Sequence, residues 1–428
     1  MILQFFLVFA FFLILGLPIA YTLGMTAVFL LFVSDSFTPL LISQRVFLGL
    51  NSFPLLAIPF FMLAGELMER GQLTEKLAEF AKTFVQHIWG GLGHAIILTA
   101  MLFATISGSG SATTAAIGSI LYKPMKDVGY EDDYAGALIA ASGSLGPVIP
   151  PGLAFIVYGV ITNTSVAKLF LSGVVPGAAC GLIFMVMNYF HAKKMNYPRS
   201  TVKSTWKERI VAFKKAVPVL MMPLIIFGGI FGGVFTPTEA ACVATVYALL
   251  YAMLISKSLK FKDIPGVLVK SMKMTAMVVI IMAFASPVGW AMAYNQLPQA
   301  IAKGMLAISD NVMVLLLIIN FILIIAGMFM DAFTAIVILA PVFLAVVEPL
   351  GITPLMFGLI MCFNLSIGQI TPPVAVCLYV GASITHTSLE KISRRIIPFV
   401  LVMIAVLLSM LVIPDVFMFL PGLLGSGS

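Results

Sequence analysis

The sequence predicts an all-α polytopic membrane protein built from two inverted repeats. Each repeat holds about five transmembrane helices, a re-entrant helical hairpin and one broken helix. Three observations carry this. Hydrophobic residues make up 61% of the 428 residues and charged residues only 10%, against roughly 25% charged in soluble domains. Apolar stretches of bilayer-spanning length recur along the whole chain. Two related motifs, Ser144-Leu-Gly-Pro-Val-Ile-Pro-Pro151 and Ser366-Ile-Gly-Gln-Ile-Thr-Pro-Pro373, stand 222 residues apart. Each puts glycine and a double proline where a membrane helix should run unbroken.

The elements follow in order. A first repeat, residues 1–190, reads as spans near 2–16, 18–34, 52–69, 132–160 and 172–190. Met1-Ile-Leu-Gln-Phe-Phe has no positive n-region, so it reads as a first membrane helix and not as a cleaved signal. A polar stretch, residues 191–215, carries eight basic residues (Lys193, Lys194, Arg199, Lys203, Lys207, Arg209, Lys214, Lys215) against Glu208. It is the boundary between halves and is expected to be cytoplasmic. The second repeat, residues 216–413, reads as spans near 216–235, 237–256, 272–290, 354–385 and 396–413. Five crossings per half, an odd number, turn the second copy upside down. The basic loops at Lys123 and Lys126, at Lys257, Lys260 and Lys262, and at Lys391, Arg394 and Arg395 then share the side of the central stretch. Residues 414–428 form a tail, and Gly425-Ser-Gly-Ser428 reads as an appended or flexible end. Smaller echoes run in one order: Gly71-Gln-Leu73 with Asn295-Gln-Leu297, Gly159 with Gly381, Thr162-Asn-Thr-Ser165 with Thr385-His-Thr-Ser388, and Pro176 with Pro398.

Residues 92–123 and 312–347 do not read as single spans. The first is apolar on both sides of Ser107-Gly-Ser-Gly-Ser-Ala-Thr-Thr114, with arms of about 15 residues, short for a crossing. A hairpin entering and leaving on one side fits it, and 312–347, with Gly327-Met-Phe-Met-Asp-Ala-Phe-Thr334 at its tip, is its counterpart. Residues 72–86 and 296–308 mix polar and apolar positions and read as interfacial helices.

A helix broken at bilayer depth leaves amides and carbonyls that lipid cannot satisfy, so the break must line protein or a cavity. Two such breaks, each with a polar hairpin, suit a substrate and ion site of a secondary transporter. Sodium needs several oxygens and no acid, and unwound carbonyls supply them. Ser107 and Ser109 would face carbonyls near Gly146 and Ile149. Gly327 would face Gly368, Thr371 and Val374. Glycine permits the close approach, and proline removes competing donors. The bland alternative is that Gly and Pro only kink the helices.

Other polar residues have two readings each. Asp331, in a hairpin tip, is either functional or a helix cap. Asn364 and Ser366 either bond substrate or brace the break. Glu239, after Pro237, reads as a helix cap, and Glu66 and Glu69 as solvated acids at a span end. Cys180, Cys242, Cys362 and Cys377 lack metal-ligand spacing and read as packing. The four histidines are dispersed. The net charge of +7 is explained by loops and gives no case for nucleic acid.

Together, Ser52-Phe-Pro-Leu-Leu-Ala-Ile-Pro-Phe-Phe-Met-Leu-Ala-Gly-Glu66, Ile106-Ser-Gly-Ser109, Gly146-Pro-Val-Ile-Pro-Pro151, Thr236-Pro-Thr-Glu-Ala240 and Gly368-Gln-Ile-Thr-Pro-Pro373 resemble the large membrane subunit of TRAP (tripartite ATP-independent periplasmic) transporters, over nearly the whole chain. The resemblance implies a sodium-driven importer of organic acids in a bacterial inner membrane. It implies a small four-helix membrane subunit and a periplasmic substrate-binding protein as partners. It also implies an elevator, with hairpins and broken helices forming a mobile transport domain against a static scaffold. By motif match, one sodium site falls on Ser107, Ser109, Gly146, Ile149 and Pro151, and the other on Gly327, Gly368, Thr371 and Val374. Substrate contacts are expected from Ser111, Thr114, Asp331, Asn364 and Ser366. Dicarboxylate members often carry an acid just after the first Ser-Gly-Ser. Here Gly110-Ser-Ala-Thr-Thr114 follows, which leans toward another acid, with sialic acid first.

Three rivals stand beside this reading. Proton coupling would run through Asp331, Glu239 or Glu66. An intramembrane serine hydrolase at Ser109 would need His94 or His386 as base. A passive channel would not need two ion sites at a repeat interface.

Overall fold

A computed structural model describes residues 2–34, 38–71, 73–197 and 203–424. Every regular element among them is helical. The first half runs α1 (Ile2–Ile14), α2 (Ile19–Val33), α3 (Pro39–Leu50), α4 (Ala57–Arg70), α5 (Leu73–Val85), α6 (Gly91–Ser107), α7 (Gly110–Asp127), α8 (Asp132–Gly143), α9 (Leu153–Thr162) and α10 (Val166–Lys194). The second runs α11 (Trp206–Phe231), α12 (Pro237–Leu250), α13 (Ile264–Tyr294), α14 (Leu297–Leu306), α15 (Val312–Phe329), α16 (Ala332–Val347), α17 (Pro354–Gly368), α18 (Val376–Thr385), α19 (Leu389–Val412) and α20 (Pro414–Gly422). The protein is an all-α membrane protein. Seven of the described helices are long and apolar enough to cross a bilayer, or eight if one bent pair counts as a span.

That bent pair corrects the sequence reading. The sequence reading placed no element between 34 and 52, but α3 stands there and meets α4 at 59°. Asn51 and Ser52 leave the helix there, and Pro54 starts the short turn that leads into α4. No residue of α3 is fully buried; Leu41, Ile42, Val46 and Gly49 form a half-buried face. The central polar stretch is also more helical than its composition suggested. α10 carries it to Lys194, and α11 starts at Trp206, where Thr205 and Glu208 cap each other's backbone amides at 3.2 and 2.8 Å. Arg199 lies outside the described residues, as do Gln72 and the tail Gly425–Ser428. The rest of the expected tail is α20, which packs on α10 and buries Phe417 and Pro421.

Both hairpins turn within two residues, 108–109 and 330–331. Their arms are therefore longer than the spacing suggested, 17 and 18 residues in the first and 18 and 16 in the second. Both arms of the second count among the seven long apolar helices. The broken helices explain why so few helices pass that test. α8 and α9 have 12 and 10 residues, α17 and α18 have 15 and 10, and none spans alone.

The small sequence echoes have matching geometry. α9 and α18 each end on a left-handed residue, Asn163 at φ 53° and His386 at φ 51°, and the next helix starts just after Ser165 or Ser388. Packing is reciprocal between halves: α7 lies on α18 and α9 on α16, α8 on α19 and α17 on α10, while α4 packs on α12 and α2 and α3 on α13. The amphipathic α5 buries Leu73, Leu77, Ala78 and Ala81, and Lys76 donates to the buried Tyr251 hydroxyl at 2.5 Å.

Polar ties fix one end of the α8–α19 pair. Arg395 reaches Glu131 at 2.6 Å and Asp133 at 2.9 Å, and the Tyr122 hydroxyl bridges Asp132 at 2.7 Å and the Thr385 carbonyl at 3.1 Å. Arg395→Gln is expected to cost about 1–2 kcal/mol, because half-exposed pairs gain only modestly each and two are lost together. A melting curve in detergent checks this, and an unchanged midpoint would count against a structural role for the cluster.

Candidate substrate and cation site

The site begins with two interrupted helices. α8 stops at Gly143 and α17 at Gly368, since the prolines that follow cannot donate and cannot continue the ladder. In the breaks, Pro150–Pro151 and Pro372–Pro373 are joined by cis peptides. No hydrogen bond among the described residues ends on the carbonyls of Gly146 to Pro151, or on those of Ile370 to Val374. These oxygens are available to a hard cation.

Each break is tied to a hairpin tip through its backbone. Leu153 N–H donates to the Gly108 carbonyl at 3.2 Å, and Val374 N–H donates to the Met328 carbonyl at 3.0 Å. The approach is too close for side chains. A Cβ on Gly146 would lie 2.6 Å from the Ser109 carbonyl oxygen, and one on Gly368 would lie 2.5 Å from the Gly327 carbonyl. Gly108, at φ +59°, turns the first tip, and a Cβ there would collide with the Pro151 carbonyl. So Ser107, Ser109, Gly146, Ile149 and Pro151 are gathered at one junction, and Gly327, Gly368, Thr371 and Val374 at the other.

The hydroxyls are partly engaged. Ser107 Oγ lies 2.7 Å from Thr113 Oγ1, and Thr113 Oγ1 donates to the Ser109 carbonyl at 2.8 Å. Thr371 Oγ1 donates to the Ile367 carbonyl at 2.8 Å, which leaves its lone pairs free. The surroundings differ: the first break is wholly buried, whereas Val374 and Val376 beside the second are exposed. α4 and the turn before it pack on α9, next to the first break.

Between the two tips lies a cavity of about 130 Å³. Ser109, Gly110 and Ser111 bring the start of α7 to it, Asp331, Ala332 and Phe333 the start of α16, Ala154 the start of α9, and Ala375 and Val376 the start of α18. Gly327 and Gly368 bring the last turns of α15 and α17. Helix starts carry partial positive charge and helix ends partial negative charge, so the walls present both signs. Asp331 is the one charged side chain in the lining.

The expected substrate residues divide. Ser111 and Asp331 line the cavity. Asp331 also caps α16, accepting from Phe333 and Thr334 N–H at 2.9 and 3.1 Å and from Thr334 Oγ1 at 2.5 Å, so its two readings coexist. Thr114, Asn364 and Ser366 lie elsewhere. Thr114 donates to the Gly110 carbonyl and packs on Gly143. Asn364 donates to Asn320 on α15 at 2.8 Å, and Ser366 to the Phe363 carbonyl at 2.7 Å. Gln369 was in the quoted motif but given no role. Its amide oxygen accepts from Cys377 Sγ at 3.3 Å and sits where a methyl at Gly110 would go, so it joins the second break to the first tip. Its position after the broken glycine was the available signal.

Of three other acids, only Glu66 departs from the sequence reading. Glu239 caps α12 in a reciprocal box with Thr236, as read. Glu66 is not solvated: it is 6% exposed and pairs with Lys270 at 2.6 Å, while Glu69 is half-exposed. The pairing cation comes from α13, about 200 residues away, which sequence pattern could not supply. Neither candidate base of the hydrolase reading lies at the tip. His94 bonds the Trp89 carbonyl near the start of α6, some 13 residues from Ser107 at its end, or about 20 Å along the helix, and His386 ends α18, whose opposite end, at Val376, is the one that reaches the cavity of Ser109.

Paired broken helices, each docked on a hairpin tip beside a cavity of helix ends, define a transporter and not an enzyme. The chain belongs to the DctM component family of tripartite ATP-independent periplasmic transporters, whose family description matches residues 6–416. It is 38% identical over 413 residues to the sialic acid TRAP transporter large permease protein SiaM of Vibrio cholerae, with 96% of each chain covered. It is 39% identical over 396 residues to the C4-dicarboxylate large permease DctM of Pseudomonas aeruginosa, with 92% of each covered. To the isethionate permease DctMQ of Oleidesulfovibrio alaskensis it is 39% identical over 414 residues, covering 97% of this chain but 65% of that one. In fold it resembles the YdaH transporter of Alcanivorax borkumensis, with a TM-score of 0.57 at 16% identity, covering 97% of this chain and 99% of that one.

Gly368→Ala is expected to push the second tip off its break and abolish transport, at a cost of about 1–3 kcal/mol in stability. Gly304→Ala, with nothing within 4 Å of its Cβ, is expected to transport normally. Equal uptake by both variants at equal expression would refute the close-approach argument.

Proposed function

We propose that this chain is the large subunit of a sodium-coupled importer of an organic acid. It works in a bacterial inner membrane with a small four-helix membrane subunit, and a periplasmic binding protein delivers the substrate. The observation that carries this is the pairing of two tip–break junctions, each with unbonded carbonyls, around one cavity without a basic side chain.

The chemistry follows from the walls. A cation at each junction takes break carbonyls, with Ser107 and Ser109 at the first and Thr371 at the second. The α7 start then offers the amides of Gly110 and Ser111 to a carboxylate. Two cations beside Ser109 and Gly327 would offset the Asp331 charge that otherwise repels an acid. Substrate binding thus depends on prior sodium binding, which is the coupling. The rival, proton coupling through Asp331, Glu239 or Glu66, would have to work with carboxylates that cap helices or pair with Lys270, and the sodium dependence of uptake separates the two.

The reciprocal packing of α7 on α18 and α9 on α16 supports inverted repeats. It also supports an elevator, in which hairpins and broken helices move as a unit against α4, α12 and α13. Relatives at 36–39% identity carry the names of sialic acid, C4-dicarboxylate, 2,3-diketo-L-gulonate and isethionate carriers, so identity does not select among acids. Ser111-Ala-Thr-Thr114 after the first Ser-Gly-Ser makes sialic acid the first probe.

Proteoliposomes holding this chain and its small subunit, with labelled sialic acid and a matching binding protein outside, test the reading. Uptake is expected only with an inward sodium gradient and the binding protein. Uptake of a dicarboxylate instead replaces the substrate, and uptake indifferent to sodium refutes the mechanism. Ser109→Ala and Thr371→Ala are each expected to raise the sodium half-saturation about three- to tenfold, the worth of one oxygen contact among several.

A further inference from the structure

Among the described residues, Glu66 is the one buried carboxylate. It sits on α4, 6% exposed, in a helix with no other function so far. One oxygen, Oε2, holds Lys270 of α13 at 2.6 Å. The other, Oε1, is buried and accepts no hydrogen bond; Arg70 Nε is 3.8 Å away and mostly exposed. Glu69, on the next turn, shares the same lysine at 3.6 Å. Glu66 and Glu69 thus face the ammonium of Lys270 and, at longer range, the guanidinium of Arg70.

The patch faces the first hairpin. Glu66 and Glu69 line one wall of a gap of about 40 Å³, and Ser107 and Ser109 line the other. A space of that size holds a water molecule or a small cation. A buried carboxylate oxygen without a donor is costly, and a cation in the gap would satisfy it. Ser107 and Ser109 are the hydroxyls of the first junction, so the gap continues from the ion site toward α4.

From this we infer that Glu66 is a scaffold-borne ligand for a monovalent cation, completing the first hairpin's ion site from outside the transport unit. The inference rests on the sodium reading above. It adds that cation affinity at the first tip depends on where the tip stands. Docked beside α4, the tip shares its cation with Glu66 Oε1. Displaced from α4, it loses that oxygen and binds the cation more weakly. Lys270 competes for the same carboxylate and keeps the docked affinity low enough for release. Glu66 thereby links the position of the moving unit to the ion it carries.

The test uses the full chain with its small subunit, in proteoliposomes for uptake and in nanodiscs for sodium-dependent thermal stabilisation without substrate. Glu66→Gln is expected to raise the sodium half-saturation about tenfold in both assays, given a unit charge a few ångströms from the ion in a partly screened site. The substrate KM at saturating sodium should stay where it was, which a merely structural role would not ensure. Lys270→Met should move the half-saturation the other way. If Glu66→Gln does not fold, because Lys270 is left without its carboxylate, the double variant Glu66→Gln/Lys270→Met is measured in its place, with the same rise expected. An unchanged half-saturation in the folded variant, with Ser109→Ala still shifted, overturns the role of Glu66 and leaves the sodium mechanism intact. No shift in Glu66→Gln, Ser109→Ala and Thr371→Ala together overturns the sodium reading, and this inference with it.

Discussion

Unpaired backbone in an apolar interior is the constraint on which this structure depends. A peptide carbonyl buried without a donor is costly, and bilayer lipid offers none. The chain breaks two helices at depth, and the consecutive carbonyls at Gly146 to Pro151 and Ile370 to Val374 accept no hydrogen bond from the described residues. Such backbone persists only where protein or a polar guest surrounds it. The hairpin tips supply the protein part, through one backbone hydrogen bond at each junction. Glycines at 108, 146, 327 and 368 let main chain meet main chain.

The same devices set up charge without charged residues. Four helices start at the central cavity, and α6, α15 and α17 end there. Their dipoles place partial positive and partial negative ends within one small space, so an acid and its accompanying cations can be held by backbone alone. Dipoles have no flexible arm that must be desolvated and refolded as the site changes exposure, unlike lysine or arginine. The acids have different tasks. Asp331, in the cavity wall, and the exposed Glu239 organise helix starts, whereas the buried Glu66 keeps an oxygen free beside the first tip.

Much of this was legible in the residues. Gly-Pro-Val-Ile-Pro-Pro and Gly-Gln-Ile-Thr-Pro-Pro announced the breaks, because proline's missing donor acts locally. Ser107 to Ser109 announced a turn, because glycine there needs a positive φ that few other residues adopt. Thr236-Pro-Thr-Glu239 announced a cap from spacing alone. What failed to read out was non-local. α3 was missed because the face it lays on α13 is only half-buried and carries Arg45 and Gly49 among its apolar residues. Glu66 looked solvated because its partner, Lys270, comes from the other half of the chain. Thr114, Asn364 and Ser366 looked available because sequence does not reveal which carbonyl or amide a polar side chain will meet inside a packed bundle.

The sequence by itself determined an all-helical membrane chain, its two breaks, its two hairpin tips and the order in which they recur. These follow from short-range chemistry: hydrophobic run length, proline and glycine. Only the tertiary structure decided that Ser109 and Gly327 share one cavity, that Gln369 crosses from the second break to the first tip, and that the first break is buried while the second is partly open. Those outcomes depend on which helices pack together, and packing is set by the whole assembly of surfaces and not by any one segment.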